Sequence, residues 1–200
     1  MSLAKQPGRN GIMKQPHFFI ALSLPESMKE LLFAQCEKVK DTIPFQRWVH
    51  KEDYHITMAF LGSVPEGKAK ECMKILEDRV AQCSSFSLVL SGLGMFGDKS
   101  SPRILWYKTD YEEKLMKLQS IVKQVCLDTG FILDEKPFKP HITLARKFSG
   151  VTPLSEDLWR EADHLVNKTS YFTTNQITLF RTHLDRTPKY ESVYTIKLQH

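Results

Sequence analysis

His141-Ile142-Thr143-Leu144-Ala145-Arg146 is the stretch that decides the fold, because His55-Ile56-Thr57-Met58-Ala59-Phe60 spells nearly the same words in the first half of the chain. In an extended strand successive side chains alternate faces, so a His and a Thr two residues apart point the same way. Each copy thus projects an imidazole and a hydroxyl from one face and sends Ile, with Leu or Met, into the other. Two such strands brought together would put two imidazoles and two hydroxyls around one small volume, equipment for holding a phosphate and moving two protons. The 7 histidines and 13 threonines in 200 residues would give about half an H-x-T per chain by chance. Two copies that also share Ile, an apolar fourth residue and Ala are much harder to reach by accident.

The surrounding chain is that of an ordinary globular protein. Its 200 residues suit one domain or two closely packed lobes, and a hydrophobic content of 42% supplies a core. No apolar run is long enough to cross a bilayer, and no signal peptide stands at the N-terminus. Cys36, Cys72, Cys83 and Cys126 are scattered with no C-x-x-C, which fits reduced thiols in a cytoplasmic protein better than a disulfide framework or a zinc site. A net charge of +5 is compatible with an anionic substrate, but the basic residues form no dense block.

Working outward from the motifs, residues 1–14 read as a disordered leader or an expression remnant, with Met13 a candidate native start, and residues 15–200 as a single bilobal domain. His17 to Leu24 reads as a strand, Pro25 to Lys40 as a helix, and Phe45 to Val49 as a short extended piece. Asp53 to Gly62 carries the first motif. A helix from Glu66 to Gln82 and a strand from Phe86 to Leu93 follow, then a turn-rich passage at Gly92, Gly94 and Gly97. Arg103 to Lys108 is a strand and Tyr111 to Asp128 a helix, with Gly130 just beyond its end. The second motif strand follows Pro140, then a helix from Ser155, a candidate cap, to Val166. Asn175 to Leu184 and Glu191 to Leu198 read as a hairpin. Strands mixed with helices in this order predict an α+β fold with largely antiparallel sheets. One motif per half predicts an internal duplication with a pseudo-twofold axis through the site.

These residues resemble the two-histidine (2H) phosphoesterase superfamily, and within it the LigT-like RNA 2′,3′-cyclic phosphodiesterases, also called 2′-5′ RNA ligases. Besides the two motifs, the resemblance rests on Phe19-Ile20-Ala21-Leu22 before Leu24-Pro25, on Arg47-Trp48-Val49, on Phe60-Leu61-Gly62, on Pro102-Arg103 before Leu105-Trp106, and on Pro137-Phe138 before Pro140-His141. Tyr190 fits the family's closing tyrosine. The likeness covers the chain from about Phe18 onward. Tyr54 and Met58 stand where leucines are usual, and Thr187-Pro188 where a glycine is expected. The resemblance implies two pseudo-symmetric lobes lining a central cleft with the helices outside. It also implies hydrolysis of an RNA or nucleotide 2′,3′-cyclic phosphate to the 2′-phosphate, with 2′-5′ ligation as the reverse activity.

That reaction needs one group to take a proton from water and another to give one to the leaving alkoxide, and imidazole does both near neutral pH. His55 and His141 are the catalytic pair, with His55 read as the acid for O3′ and His141 as the base. Thr57 and Thr143 would donate to the non-bridging oxygens. Arg146 and Tyr190 are further substrate-binding candidates, although strict alternation points Arg146 away from the His/Thr face. Trp48, Trp106, Phe19 and Phe96 read mainly as core, with base stacking as the alternative. The remaining histidines read as structural or exposed. No metal-ligand set and no cofactor site are apparent, and metal independence is expected. The expected partners are RNA 3′ ends or nucleoside cyclic phosphates, with neither a membrane nor an obligate protein partner, and the chain is expected to be a monomer. Another small cyclic or 2′-5′ phosphodiester such as ADP-ribose cyclic phosphate, or non-catalytic RNA-end binding, are the alternatives.

Overall fold

The computed structural model describes residues 16–166 and 169–199. The expectation for residues 1–14 therefore lies outside the described residues. β1 (His17–Ser23) leads into α1 (Glu26–Lys40), then β2 (Phe45–Trp48), a 3-10 turn (Lys51–Asp53), β3 (His55–Ser63) and α2 (Glu66–Val80). β4 (Phe86–Gly97), β5 (Pro102–Thr109), α3 (Glu113–Asp128), β6 (His141–Phe148) and α4 (Glu156–Leu165) follow. β7 (Ser170–Thr174), β8 (Gln176–Thr182) and β9 (Tyr190–Lys197) complete the chain. No helix among the described residues is long and apolar enough to cross a membrane.

The strands form one sheet in the order β7-β4-β5-β6-β3-β1-β8-β9, with β2 added on β6. All pairings between these strands are antiparallel. The order is symmetric about its centre. One lobe runs outward as β3-β1-β8-β9 and the other as β6-β5-β4-β7, and the two motif strands meet at a single pair, Ile56 with Ile142. Both isoleucines are fully buried, and burying each side chain contributes about 1.5–3 kcal/mol. α2 packs against α3, and α1 against α4. The expected α+β class, the antiparallel pairing and the two-lobed duplication are all present. The sheets of the two lobes are continuous rather than separate.

Local chemistry accounts for the helices. Pro25 stands just ahead of α1, with Glu26 in the first turn and Lys38 and Lys40 in the last, each sign matching the helix dipole. Ser155 Oγ accepts from Leu158 N–H at 3.2 Å, so the expected cap of α4 forms. Two stretches differ from the sequence reading. Gly92, Gly94 and Gly97 do not make a turn: β4 continues through all three. Gly94 is required because a Cβ there would lie 2.5 Å from Trp106 Cζ2, so the indole rests on bare backbone. Gly92, at φ +95°, sits in the register shift between Leu90 and Leu93. β7 was not anticipated. It is a five-residue edge strand that alternates buried Ser170, Phe172 and Thr174 with exposed Tyr171 and Thr173.

Candidate active site

β3 and β6 repeat one burial pattern. His and Thr are half-buried on the cleft side, and the two residues between and beyond them face the core. An antiparallel register through Ile56 and Ile142 sets position 55 across from 143 and position 57 across from 141. Each histidine therefore faces the other motif's threonine, and the four predicted groups converge as expected.

The histidines are held in the same way. His55 Nδ1 lies 2.7 Å from the carbonyl oxygen of Asp53, and His141 Nδ1 lies 2.7 Å from that of Lys139. A carbonyl only accepts, so Nδ1 carries the proton in both rings and Nε2 is the working nitrogen. His55 Nε2 is 3.0 Å from Thr57 Oγ1, whose hydroxyl donates to it when the ring is neutral.

Each imidazole rests against a stacked pair of aromatic rings. Phe19 and Phe180 stack at 5.3 Å beside His55, with Phe19 4.7 Å from the imidazole. Phe96 and Trp106 stack at 4.8 Å beside His141, with Phe96 4.9 Å from the ring and meeting it edge-on. The pairs come from equivalent strands of the two lobes, β1 with β8 and β5 with β4. Phe19 and Trp106 are thus buried walls of the site, whereas Trp48 packs against the core beneath Lys40.

These walls set the electrostatics. Burial holds the His55 imidazole down to about 4; its bond to the Asp53 carbonyl opposes this, while the charges of His141 and Arg146 add to it. Burial also lowers His141, again opposed by its carbonyl bond and assisted by Arg146 and Lys139. Both shifts favour the neutral ring at pH 7.

Arg146 corrects the alternation argument. β5 and β6 pair Trp106 with Thr143 but Leu105 with Ala145, so Leu144 is an extra, bulged residue. A bulge reverses the parity of the residues beyond it, and Arg146 returns to the cleft side, where its charge is felt by His55, His141 and Tyr190. The first motif has the same device. β1 pairs Ala21 with Thr57 but Ile20 with Ala59, so Met58 is bulged and Phe60 emerges at the position equivalent to Arg146. Phe60 is 65% exposed, with its ring 6.0 Å from Phe19.

Tyr190 meets His55 edge-on at 5.2 Å, and burial raises its phenol pKa. With Phe19, Phe60, His183 and Leu184 it lines a cavity of about 740 Å³ on the His55 side. Sequence reasoning missed Phe60, Phe180, Asp53 and Lys139. Aligning the two motifs would have found Phe60 opposite Arg146, and Asp53 and Lys139 each two residues before a motif histidine. Among the described residues no group of three or more His, Cys, Asp or Glu is arranged to hold a metal ion.

A duplicated sheet that converges two H-x-T words on one cleft has the architecture of a two-histidine phosphoesterase. The family model for LigT-like phosphoesterases matches the chain twice, over residues 22–106 and 108–190, and the chain belongs to that family. It is 40% identical over 186 residues to the RNA 2′,3′-cyclic phosphodiesterase of Geobacillus stearothermophilus, an alignment covering 93% of this chain and 58% of that protein. To the Bacillus subtilis protein of the same name it is 32% identical, covering 92% of this chain and 97% of the relative. In three dimensions it is similar to E. coli LigT complexed with 3′-AMP, with a TM-score of 0.75, 23% identity and coverage of 93% of this chain and 100% of the other.

Proposed function

We propose that this chain opens RNA or nucleoside 2′,3′-cyclic phosphates to the 2′-phosphate, the activity class for which the two bacterial relatives are named, with its two histidines as the acid and the base. The observation that carries this reading is the matched pair of imidazoles, each pinned at Nδ1 by the carbonyl two residues before it and free to exchange a proton at Nε2. In-line opening needs a donor on one side of phosphorus and an acceptor on the other. His55 protonates the departing O3′ and His141 takes the proton from water. The Thr57 and Thr143 hydroxyls and the Arg146 guanidinium receive the charge that grows on the non-bridging oxygens. The nucleoside then lies on the His55 side, in the cavity bounded by Phe60 and Tyr190.

Before substrate arrives, His55 is too buried to hold a proton at pH 7. The charge of an arriving phosphodiester raises it. Thr57 accommodates either state, because a hydroxyl can donate to a neutral Nε2 or accept from a protonated one. Both histidines come from one chain, so a monomer holds a complete site.

The test is incubation, in excess EDTA, with nucleoside 2′,3′-cyclic monophosphates and a short RNA ending in one, with 2′- and 3′-phosphate products resolved. Metal-free release of the 2′-phosphate that disappears in His55→Ala and His141→Ala is the expected result. Turnover retained in either variant would overturn the two-histidine assignment.

A further inference from the structure

The cavity of about 740 Å³ on the His55 side differs in charge from the one across the site. Beside His141, Lys99, Lys108 and Lys139 line a cavity of about 590 Å³ against a single acid, Glu156. The His55 cavity has no lysine or arginine among the described residues that line it, and its one acid is Asp185. A carboxylate in the cavity that receives an anionic substrate repels it, unless the substrate also brings hydrogen-bond donors to meet it.

Asp185 stands in the exposed turn between β8 and β9, and the cations around it do not neutralise it. Arg181, His183 and Arg186 all turn to Glu191 instead, at 3.6, 2.6 and 3.4 Å. Among the described residues Asp185 forms no ion pair and accepts no hydrogen bond.

Strand register lays the floor of this cavity in two rows. β1 pairs Phe19 with Phe60 on one side and with Phe180 on the other, so three aromatic residues lie abreast next to His55. Two residues further out, on the same face of β1, His17 pairs with Ser63 and with Thr182, which makes a polar row. Asp185 follows Thr182 by one short step of chain and lines the cavity beyond that row. A base stacked on Phe60 carries its Watson–Crick edge away from its ribose, across the polar row and toward Asp185.

That edge identifies the base. A carboxylate only accepts hydrogen bonds. Uracil presents one N–H between two carbonyl oxygens, and cytosine and adenine each present an amino group beside an unprotonated ring nitrogen. Guanine alone presents two adjacent donors, N1–H and the N2 amino group. They point the same way and match the two oxygens of one carboxylate.

We propose that the His55-side cavity is a guanine-selective base subsite, in which Phe60 stacks on the base and Asp185 accepts from guanine N1–H and N2–H. The inference rests on the phosphodiesterase reading and specifies its substrate as a 2′,3′-cyclic phosphate carried on guanosine. The contact lies remote from phosphorus and is the same in the ground state and the transition state. It therefore lowers KM and leaves kcat to the histidines.

The experiment compares kcat and KM of the full chain, in excess EDTA, for the 2′,3′-cyclic monophosphates of guanosine, inosine, adenosine, cytidine and uridine. Guanosine should be favoured over uridine roughly tenfold in kcat/KM, mainly through KM. Inosine, which keeps N1–H but lacks the amino group, should fall between them. Asp185→Ala, and separately Asp185→Asn, should bring the guanosine-to-uridine ratio to about one, and Phe60→Ala should raise KM for every base. A ratio near one in the wild type, a preference that survives both Asp185 variants, or a KM unmoved in Phe60→Ala overturns the guanine subsite and leaves the hydrolase intact. Absence of hydrolysis with every substrate removes the phosphodiesterase reading and the subsite together.

Discussion

The carboxylate of Asp53 holds the backbone of Tyr190: Oδ1 accepts the Tyr190 N–H at 3.0 Å, and both carboxylate oxygens accept the Lys189 N–H. The backbone carbonyl of the same Asp53 holds His55 Nδ1. One buried residue therefore sets the position of His55 and of the tyrosine packed on it. Asp53→Ala should remove about 1.5–3 kcal/mol, the range for hydrogen bonds to a charged group, with a Tm fall of about 2–4 °C per kcal/mol in a chain of this size. It should lower kcat as well, and Asp53→Asn, which keeps an acceptor oxygen, should recover part of both. A thermal melt and a kcat unchanged in Asp53→Ala would contradict this linkage.

Removing the positive charge of Arg146 should raise the pKa of both histidines, since that charge lowers each of them. Proton NMR titration of the imidazole C–H signals in Arg146→Ala reads this directly, and Arg146→Lys should shift them less. Values that stay in place would mean that the guanidinium lies outside the cleft.

The pH dependence follows from the same burial. Both rings titrate below 6.5 in the free protein, His55 at about 4. The kcat/KM profile reports the free enzyme, so its optimum should lie on the acid side of 6.5. The kcat profile should sit at higher pH, because bound phosphodiester raises both histidines. Stability has a matching sign: between 6.5 and about 4 the unfolded chain binds a proton that folded His55 does not, so stability is lost as pH falls through that window. A kcat/KM optimum on the alkaline side of neutrality would contradict the depressed values.

A substrate with sulfur in place of O3′ separates the two histidines. Each alanine variant should lose roughly 10²- to 10⁴-fold in turnover of the normal substrate. A thiolate departs without a proton, so the sulfur substrate should restore His55→Ala and leave His141→Ala impaired. The opposite pattern would exchange the roles.

Gly94→Ala should move Trp106 off β4, because its Cβ would fall 2.5 Å from the indole. His141 loses its wall, and the loss should appear in kcat and in a changed tryptophan emission spectrum. Wild-type emission and turnover in Gly94→Ala would show that the indole can be displaced at no cost.

The sequence made the site legible because a strand's period of two is rigid: His, Thr and the buried isoleucines could be assigned faces from spacing alone. The same rule misplaced Arg146, since a bulge such as that at Leu144 depends on the partner strand and leaves no mark in the motif itself. The glycines of β4 read as a turn for a related reason, because what Gly94 accommodates is Trp106, twelve residues away in sequence. β7 was hidden by its shortness and by its polar outward face.

The symmetric strand order also bears on ancestry. The two stretches matched by the family model meet at residue 107, yet neither stretch is a lobe. β4, from the first, lies in the lobe of β5 and β6, while β8, from the second, lies in the lobe of β1 and β3. Each half lends the other two strands, β4 with most of β5 in one direction and β8 with β9 in the other, as in a swapped dimer whose protomers have been fused head to tail. A chain severed at that boundary would therefore yield two fragments that depend on reassociation to restore either lobe, rather than two small proteins with one histidine each.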